Sequence, residues 1–287
     1  MIPRAFAYER PESVADAAGL LRTHGDGARV IAGGHSLLPM MKLRLAAPEM
    51  LIDIGGISSL RGISDMGSHI VIGALTRHVD VAESDLVRSA CPVLAQAAAS
   101  IGDMQVRNRG TIGGSLAQAD SHGDLPAVLL ALDGEVSAEG PDGMRTIAAS
   151  DLFLGFLTTS LLPDEILTGV RVPKVPKGAY VKFNRRAQDW AIVGVAAVVD
   201  GSSARIALTG VGPTPVRAEA AERVFSGGNT AEAAELAAEG LDPPADSAGS
   251  ADYRRHLARV LTRRALEEAS SGQPPAPGQD TSRRSAS

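Results

Sequence analysis

Residues Ala28-Arg29-Val30-Ile31-Ala32-Gly33-Gly34-His35-Ser36 carry a short, apolar, strand-like segment straight into a glycine pair. About eighty positions on, Thr111-Ile112-Gly113-Gly114-Ser115 repeats the pair. A glycine pair removes side-chain bulk, so successive backbone N–H groups can turn toward one concavity and attract anionic oxygens. Taken singly, either segment also fits a tight turn between core elements, because glycine is the default turn residue. Two in one chain suggest a cradle for a diphosphate, with N–H groups of Gly33, Gly34, Gly113 and Gly114 and hydroxyls of Ser36, Thr111 and Ser115 as donors.

Composition narrows the class. The 287 residues are 44% hydrophobic, enough for a large core and about two domains. Aromatics make up 3%, which suits packing of helices on sheets and argues against an aromatic platform for nucleic acid. Net charge is −5, and basic residues are scattered apart from Arg185-Arg186, Arg254-Arg255 and Arg263-Arg264, so no phosphate-tracking stripe exists. The single cysteine, Cys91, sits in an Ala-rich, helix-like segment and reads as a buried structural residue. With no cysteine cluster, any iron–sulfur centre or structural zinc would belong to another polypeptide. Met1-Ile2-Pro3-Arg4 carries no apolar signal core and no run approaches membrane-spanning length, so a cytoplasmic protein without membrane insertion is expected. No Ser/His/Asp order, His-Glu-x-x-His motif or convincing pair of catalytic carboxylates is present.

Periodicity predicts a helix over 13–21, capped by Ser13 with Asp16 three places on, and strands over 28–31, 50–54 and 69–72. Thr76 is the expected cap of a helix through Ala82. Helices follow over 90–100 and 124–132, and strands over 135–138, 145–148 and 166–172. Pro173-Lys174-Val175-Pro176-Lys177-Gly178 interrupts the pattern and marks a boundary. Beyond it, strands over 179–183, 192–199 and 204–211 precede helices over 217–225, 231–239 and 253–269, the order of a small α+β domain. From Ser270 the chain is rich in Ser, Gly, Pro and Gln and cannot bury a core, so 271–287 is expected to be disordered.

Four segments in order carry a family resemblance: residues 32–44 from Ala32-Gly33-Gly34-His35-Ser36 to Lys42-Leu43-Arg44; Arg107-Asn108-Arg109-Gly110-Thr111-Ile112-Gly113-Gly114-Ser115; Asp124-Leu125-Pro126-Ala127; and Lys182-Phe183-Asn184-Arg185-Arg186. Over nearly the whole folded chain the sequence resembles the medium, FAD-binding subunits of the molybdenum hydroxylases, in the style of aerobic carbon monoxide dehydrogenase medium chains and the flavin domain of xanthine dehydrogenase. The resemblance implies an α+β fold. A PCMH-type FAD-binding module over 1–176, in two α/β subdomains split near 55–65, would be followed over 177–270 by a carbon monoxide dehydrogenase flavoprotein C-terminal-like domain with a three-stranded antiparallel sheet and helices.

It also implies site residues. Val30, Ile31, Ala32, Gly33, Gly34, His35, Ser36 and Leu37 would wrap the FAD pyrophosphate, and Thr111, Ile112, Gly113, Gly114 and Ser115 would hold its other side and the ribityl region. Ile101, Asp124, Leu167 and Lys182 would line the rest, with Trp190 where relatives carry a tyrosine near the isoalloxazine. On residues alone, Asp124 reads equally as a helix N-cap, Leu167 as a strand residue, Lys182 as a water-facing strand lysine, Trp190 as seam packing and His122 as a solvated loop residue. The chain would then pass electrons from [2Fe-2S] clusters of a small subunit through FAD to an external acceptor. A large subunit would carry the molybdenum-pterin, in a dimer of heterotrimers. A self-contained flavin oxidase or dehydrogenase and a non-redox nucleotide-binding scaffold are the alternatives.

Overall fold

The structure is a computed structural model and describes residues 2–271. The chain opens with β1 (Ala7–Glu9), α1 (Val14–His24), β2 (Ala28–Ile31), α2 (Leu37–Lys42) and β3 (Met50–Asp53). The strands form a parallel sheet in the order β1-β3-β2, in which Val30 lies opposite Ile52. Helix α1 covers it through Val14, Ala17, Ala18 and Leu21, the i, i+3, i+4, i+7 stripe of one helix face. Ser13 caps this helix as the sequence predicts: its hydroxyl accepts from the Asp16 N–H at 3.1 Å.

The middle of the chain runs β4 (Ile63–Asp65), β5 (His69–Gly73), α3 (His78–Glu83), α4 (Asp85–Ala90), α5 (Pro92–Ser100), α6 (Met104–Arg109), α7 (Ile112–Gln118) and α8 (Asp124–Ala131). It continues through β6 (Glu135–Gly140), β7 (Gly143–Ala148), α9 (Ala149–Leu152), β8 (Phe153–Gly155), β9 (Thr158–Thr159) and β10 (Ile166–Pro173). An antiparallel five-stranded sheet, β4-β5-β10-β6-β7, results. Two expectations are corrected here. Thr76 does not cap a helix: its hydroxyl bridges Gly62 N–H and C=O, both at 3.1 Å, and the N-cap of α3 is Arg77. The helix expected over 90–100 is broken at Cys91, whose φ of −151° lies outside the helical region because Pro92 clashes with a helical conformation in the residue before it. Cys91 is fully buried, as expected, and burial pushes its thiol up to about 12.

The last part holds β11 (Gly178–Phe183), β12 (Val193–Asp200), β13 (Ser203–Thr209), β14 (Val216–Arg217), α10 (Glu219–Val224), α11 (Thr230–Leu236) and α12 (Ala251–Ser271). Its antiparallel sheet contains the three expected strands and a fourth, the two-residue β14. The sheet is buried on both faces. Tyr180, Ala196, Val198 and Ala207 join the core formed with α5 and α8, whereas Val181, Val195, Ala197 and Val199 join the core under α10 to α12. Alternation along β12 therefore divides its side chains between two cores, so a run of apolar residues without polar interruption is what the strand requires. Helix α12 extends through Ser270 and Ser271, past the expected start of the tail; residues 272–287 lie outside the described residues. No helix among the described residues is long and apolar enough to cross a membrane.

Candidate functional site

The fold brings the two glycine segments into contact. A Cβ on Gly33 would collide with the Arg109 carbonyl oxygen and stand 2.8 Å from Gly110 Cα, so only glycine permits this approach. A Cβ on Gly114 would stand 3.9 Å from Ala32 Cβ, which makes the two segments neighbours along a second line. The first segment leaves β2 at Ile31 and turns through Gly34, whose φ of +76° an L side chain rarely adopts, before α2 begins at Leu37.

This turn leaves its donors open. The N–H groups of Gly33, Gly34, His35 and Ser36 make no hydrogen bond within the described residues, although the carbonyls of Gly34 and Ser36 accept from Leu38 and Met40. Four consecutive open donors in a turn with partly accessible backbone match the chemistry of a phosphate oxygen cluster. Neither Ser36 Oγ nor Ser115 Oγ is engaged within the described residues.

The second segment is built differently from the expected loop. It is the first turn of α7, with Thr111 as N-cap. Its N–H groups are already committed: Ile112 to Thr76 O and Gly113 to Ala74 O, at 3.0 and 2.9 Å, and Gly114 to Thr111 Oγ1 at 3.1 Å. Gly113 and Gly114 are therefore not donors to a ligand, which corrects the sequence reading. Gly113 is glycine for closeness, since a Cβ there would stand 2.5 Å from Ala74 Cβ. Thr111 Oγ1 accepts from Gly114 and keeps its own proton for a further acceptor.

Asp124 is the first residue of α8, and the N-cap is Gly123, so the capping alternative is also corrected. Its carboxylate instead accepts from Tyr180 OH at 2.5 Å and pairs with Lys182 Nζ at 3.2 Å, both on β11. The Lys182 and Asp124 side chains are only 8% and 6% exposed, so Lys182 does not face water. Burial raises the Asp124 carboxyl above its ordinary range, against the pull of the Lys182 ammonium and the Tyr180 hydroxyl. Burial and the Asp124 charge raise the Tyr180 phenol far above its own.

Ile101 follows α5 and accepts from Arg107 through its carbonyl at 2.9 Å, tying α6 to the end of α5. Leu167 is a buried strand residue in the core that also holds Ala74, Ile112 and Leu116, next to a register shift in β10. Trp190 is 73% exposed in the loop between β11 and β12 and is packed into no seam. His122 is not merely solvated: its Nδ1–H donates to Ala191 O at 2.9 Å, beside Trp190. Two residues escaped the sequence reading. Tyr180 carried only the signal of a polar tip inside an apolar strand, and His78 carried none. His78 is 4% exposed, its N–H donates to Gly110 O at 3.0 Å, and its pKa is lowered to about 4, mainly by burial and further by His35 and Arg107. Among the described residues no group of three or more His, Cys, Asp or Glu could hold a metal ion.

Residues 4–175 match the family described as the FAD binding domain in molybdopterin dehydrogenase, and residues 178–269 the CO dehydrogenase flavoprotein C-terminal domain. The chain is 44% identical over 282 residues to the carbon monoxide dehydrogenase medium chain of Hydrogenophaga pseudoflava, covering 94% of this chain and 98% of that one. It is 41% identical over 283 residues to the 6-hydroxypseudooxynicotine dehydrogenase complex subunit alpha of Paenarthrobacter nicotinovorans, covering 94% and 96%. A solved structure of the Hydrogenophaga pseudoflava carbon monoxide dehydrogenase, lacking the Mo-pyranopterin moiety of its cofactor, superposes with a TM-score of 0.91 at 44% identity over 95% of this chain and 99% of that one.

Proposed function

The chain belongs to the FAD-binding medium subunits of molybdenum hydroxylases of the carbon monoxide dehydrogenase and xanthine dehydrogenase type, and we propose that it is the electron-transfer subunit of a heterotrimeric complex. Its partners are a small subunit with [2Fe-2S] clusters and a large subunit with molybdenum-pterin, assembled as a dimer of heterotrimers, and an external acceptor takes the electrons. The single observation that carries this reading is the open turn Gly33–Ser36, four unspent N–H donors packed against the second glycine segment. Bound FAD would supply the conversion between one-electron arrival and two-electron delivery.

The chain's residues supply position and field. The turn N–H groups and the Ser36, Thr111 and Ser115 hydroxyls hold the diphosphate; Ala32 and Leu37 flank it, with Val30 and Ile31 fixing the strand that feeds it. Gly113, Gly114 and Ile112 set the approach of α7, while Ile101, Leu167, Asp124, Lys182 and Trp190 face the rest of the cofactor. The division into a cofactor-binding part over 1–176 and a second domain over 177–270 belongs to this reading, as does a cytoplasmic location. Relatives named for carbon monoxide and for 6-hydroxypseudooxynicotine resemble this chain almost equally, which supports placing substrate choice in another subunit. Both are named as a chain or subunit of a larger assembly, which favours a carrier over a self-contained oxidase.

The test is the visible spectrum and released-cofactor mass of the chain, purified alone and after co-expression with its genomic neighbours. FAD is expected in at least the co-expressed sample, together with a molybdenum and an iron–sulfur partner. FAD in neither would overturn the reading. Substrate-dependent flavin reduction by the isolated chain would favour the self-contained oxidase, and bound flavin that dithionite cannot reduce reversibly would favour a scaffold.

A further inference from the structure

Gly110 is pinched from two sides. On one, a Cβ on Gly33 would stand 2.8 Å from Gly110 Cα; on the other, a Cβ on Gly110 would stand 2.7 Å from His78 Cδ2 and 2.8 Å from its Nε2. The His78 N–H holds the Gly110 carbonyl at 3.0 Å, so ring and backbone of one residue fix the segment against which the donor turn rests. The ring carries a cost that a hydrocarbon would avoid: its Nδ1 is buried with no hydrogen-bond partner among the described residues. Leucine or phenylalanine would fill space there without an orphaned nitrogen.

We propose that His78 is a positioning residue for the diphosphate cradle: its neutral imidazole, wedged behind Gly110, sets the spacing of the two glycine segments, and protonation of the ring opens the cradle. This rests on the FAD reading given above.

The surroundings make protonation disruptive. The groups acting on the imidazole are His35 of the donor turn and Arg107 of α6, and both oppose a positive charge. On its own helix Asp80 is committed to Arg77, with Nη2 and Oδ1 2.7 Å apart, and Glu83 lies at the other end of the helix. Helix α4 carries Asp85 and Arg88, α6 carries Arg109 besides Arg107 and is capped by Asp103, and α5 carries no charged residue. An imidazolium here is opposed by the Arg107 guanidinium and the His35 ring. Moving the first turn of α3 away from Gly110 relieves that opposition and releases the face that Gly33 packs on.

The experiment measures FAD release by recovery of flavin fluorescence between pH 7.5 and 4.5, using the assembled complex with wild-type chain, His78→Gln and His78→Leu, with far-UV circular dichroism on each sample. For wild type the dissociation constant is expected to rise below pH 6.5 by up to about tenfold per pH unit, the limit for one coupled proton. Both variants, which cannot take up that proton, are expected to give a shallower profile while remaining folded. Wild-type and variant profiles of equal steepness would overturn the inference. So would variants whose FAD loss merely follows loss of helical signal at every pH. If one variant fails to fold, the other decides. Absence of FAD from wild type at pH 7.5 would overturn the functional reading and this inference together, whereas FAD bound at pH 7.5 with matching profiles overturns the inference alone.

Discussion

Lys182 and Asp124 neutralise one another in a nearly dry pocket, so the cation that the family resemblance puts beside the flavin is not a free one. Removing one partner should therefore change the field more than the pair itself does. Asp124→Asn leaves the Lys182 ammonium without its counter-charge; a positive charge favours the reduced, more negative flavin, so the potential of bound FAD should rise. Lys182→Met should lower it. At an effective dielectric near 20, an uncompensated charge acting over several ångströms is worth on the order of a few kcal/mol. Spectroelectrochemical titration of the two variants checks this, and equal potentials in both would remove these residues from the flavin's neighbourhood. At this scale the sequence was legible where chemistry is local. The Gly33-Gly34 pair announces a turn because glycine backbones are unhindered. The roles of Tyr180 and His78 were not legible, because each is defined by a residue 56 or 32 positions away, Asp124 for the first and Gly110 for the second, and no local pattern encodes such a meeting.

Among elements, α7 shows how a correct motif can be assigned to the wrong structure. Paired glycines are poor helix formers, so propensity reads residues 111–115 as a loop. Packing overrides it: the helix is capped by Thr111, Gly113 is glycine because Ala74 approaches too closely for a side chain, and a Cβ on Gly114 would stand 2.8 Å from Thr111 Oγ1. The first turn is held by the N-cap bond from Gly114 N–H to Thr111 Oγ1. Thr111→Val keeps the shape and removes the acceptor, and should cost roughly 1 kcal/mol of stability, the usual worth of an N-cap. It should also weaken FAD binding, because the same hydroxyl supplies a proton to the cradle, whereas Thr111→Ser should preserve both. Urea unfolding together with an FAD titration measures the two effects; a valine variant with unchanged affinity would confine Thr111 to capping. Cys91 teaches the opposite lesson. Its break between α4 and α5 was readable from Pro92 alone, since proline constrains the residue before it, but the alanine-rich composition on either side masked the signal.

Across the whole molecule, the antiparallel sheet of β11 to β14 links the candidate site to the C-terminal helices, and Arg254 on α12 is the staple. Its side chain is 0% exposed. Nη1 donates to the carbonyls of Ile192 and Gly210, and Nη2 donates to Asp246 Oδ1 and Oδ2 at 2.9 and 2.8 Å. Those two carbonyls sit where 121–122 docks on the sheet, through Gly210 N–H to Ser121 O at 2.8 Å and His122 Nδ1–H to Ala191 O at 2.9 Å. The docked segment leads directly into Asp124, so the position of α8 against β11 depends on a guanidinium delivered from the far end of the chain. Composition and periodicity show an amphipathic last helix, but a fully buried arginine on its apolar face contradicts that pattern and becomes sensible only once the carbonyls at the strand ends are in place. Arg254→Leu would take the guanidinium from those carbonyls and from Asp246, whose Oδ1 keeps only the N–H groups of Ala248 and Gly249, at a cost of about 3 kcal/mol or more. The loss should appear as a lower melting temperature together with weaker FAD binding, because the Asp124–Lys182 pair loses its support. Arg254→Lys, which keeps the charge but not the fork, should fall between. A leucine variant that melts like wild type would show that the sheet edge is held without α12, and one that loses stability but not FAD affinity would confine the staple to the C-terminal part.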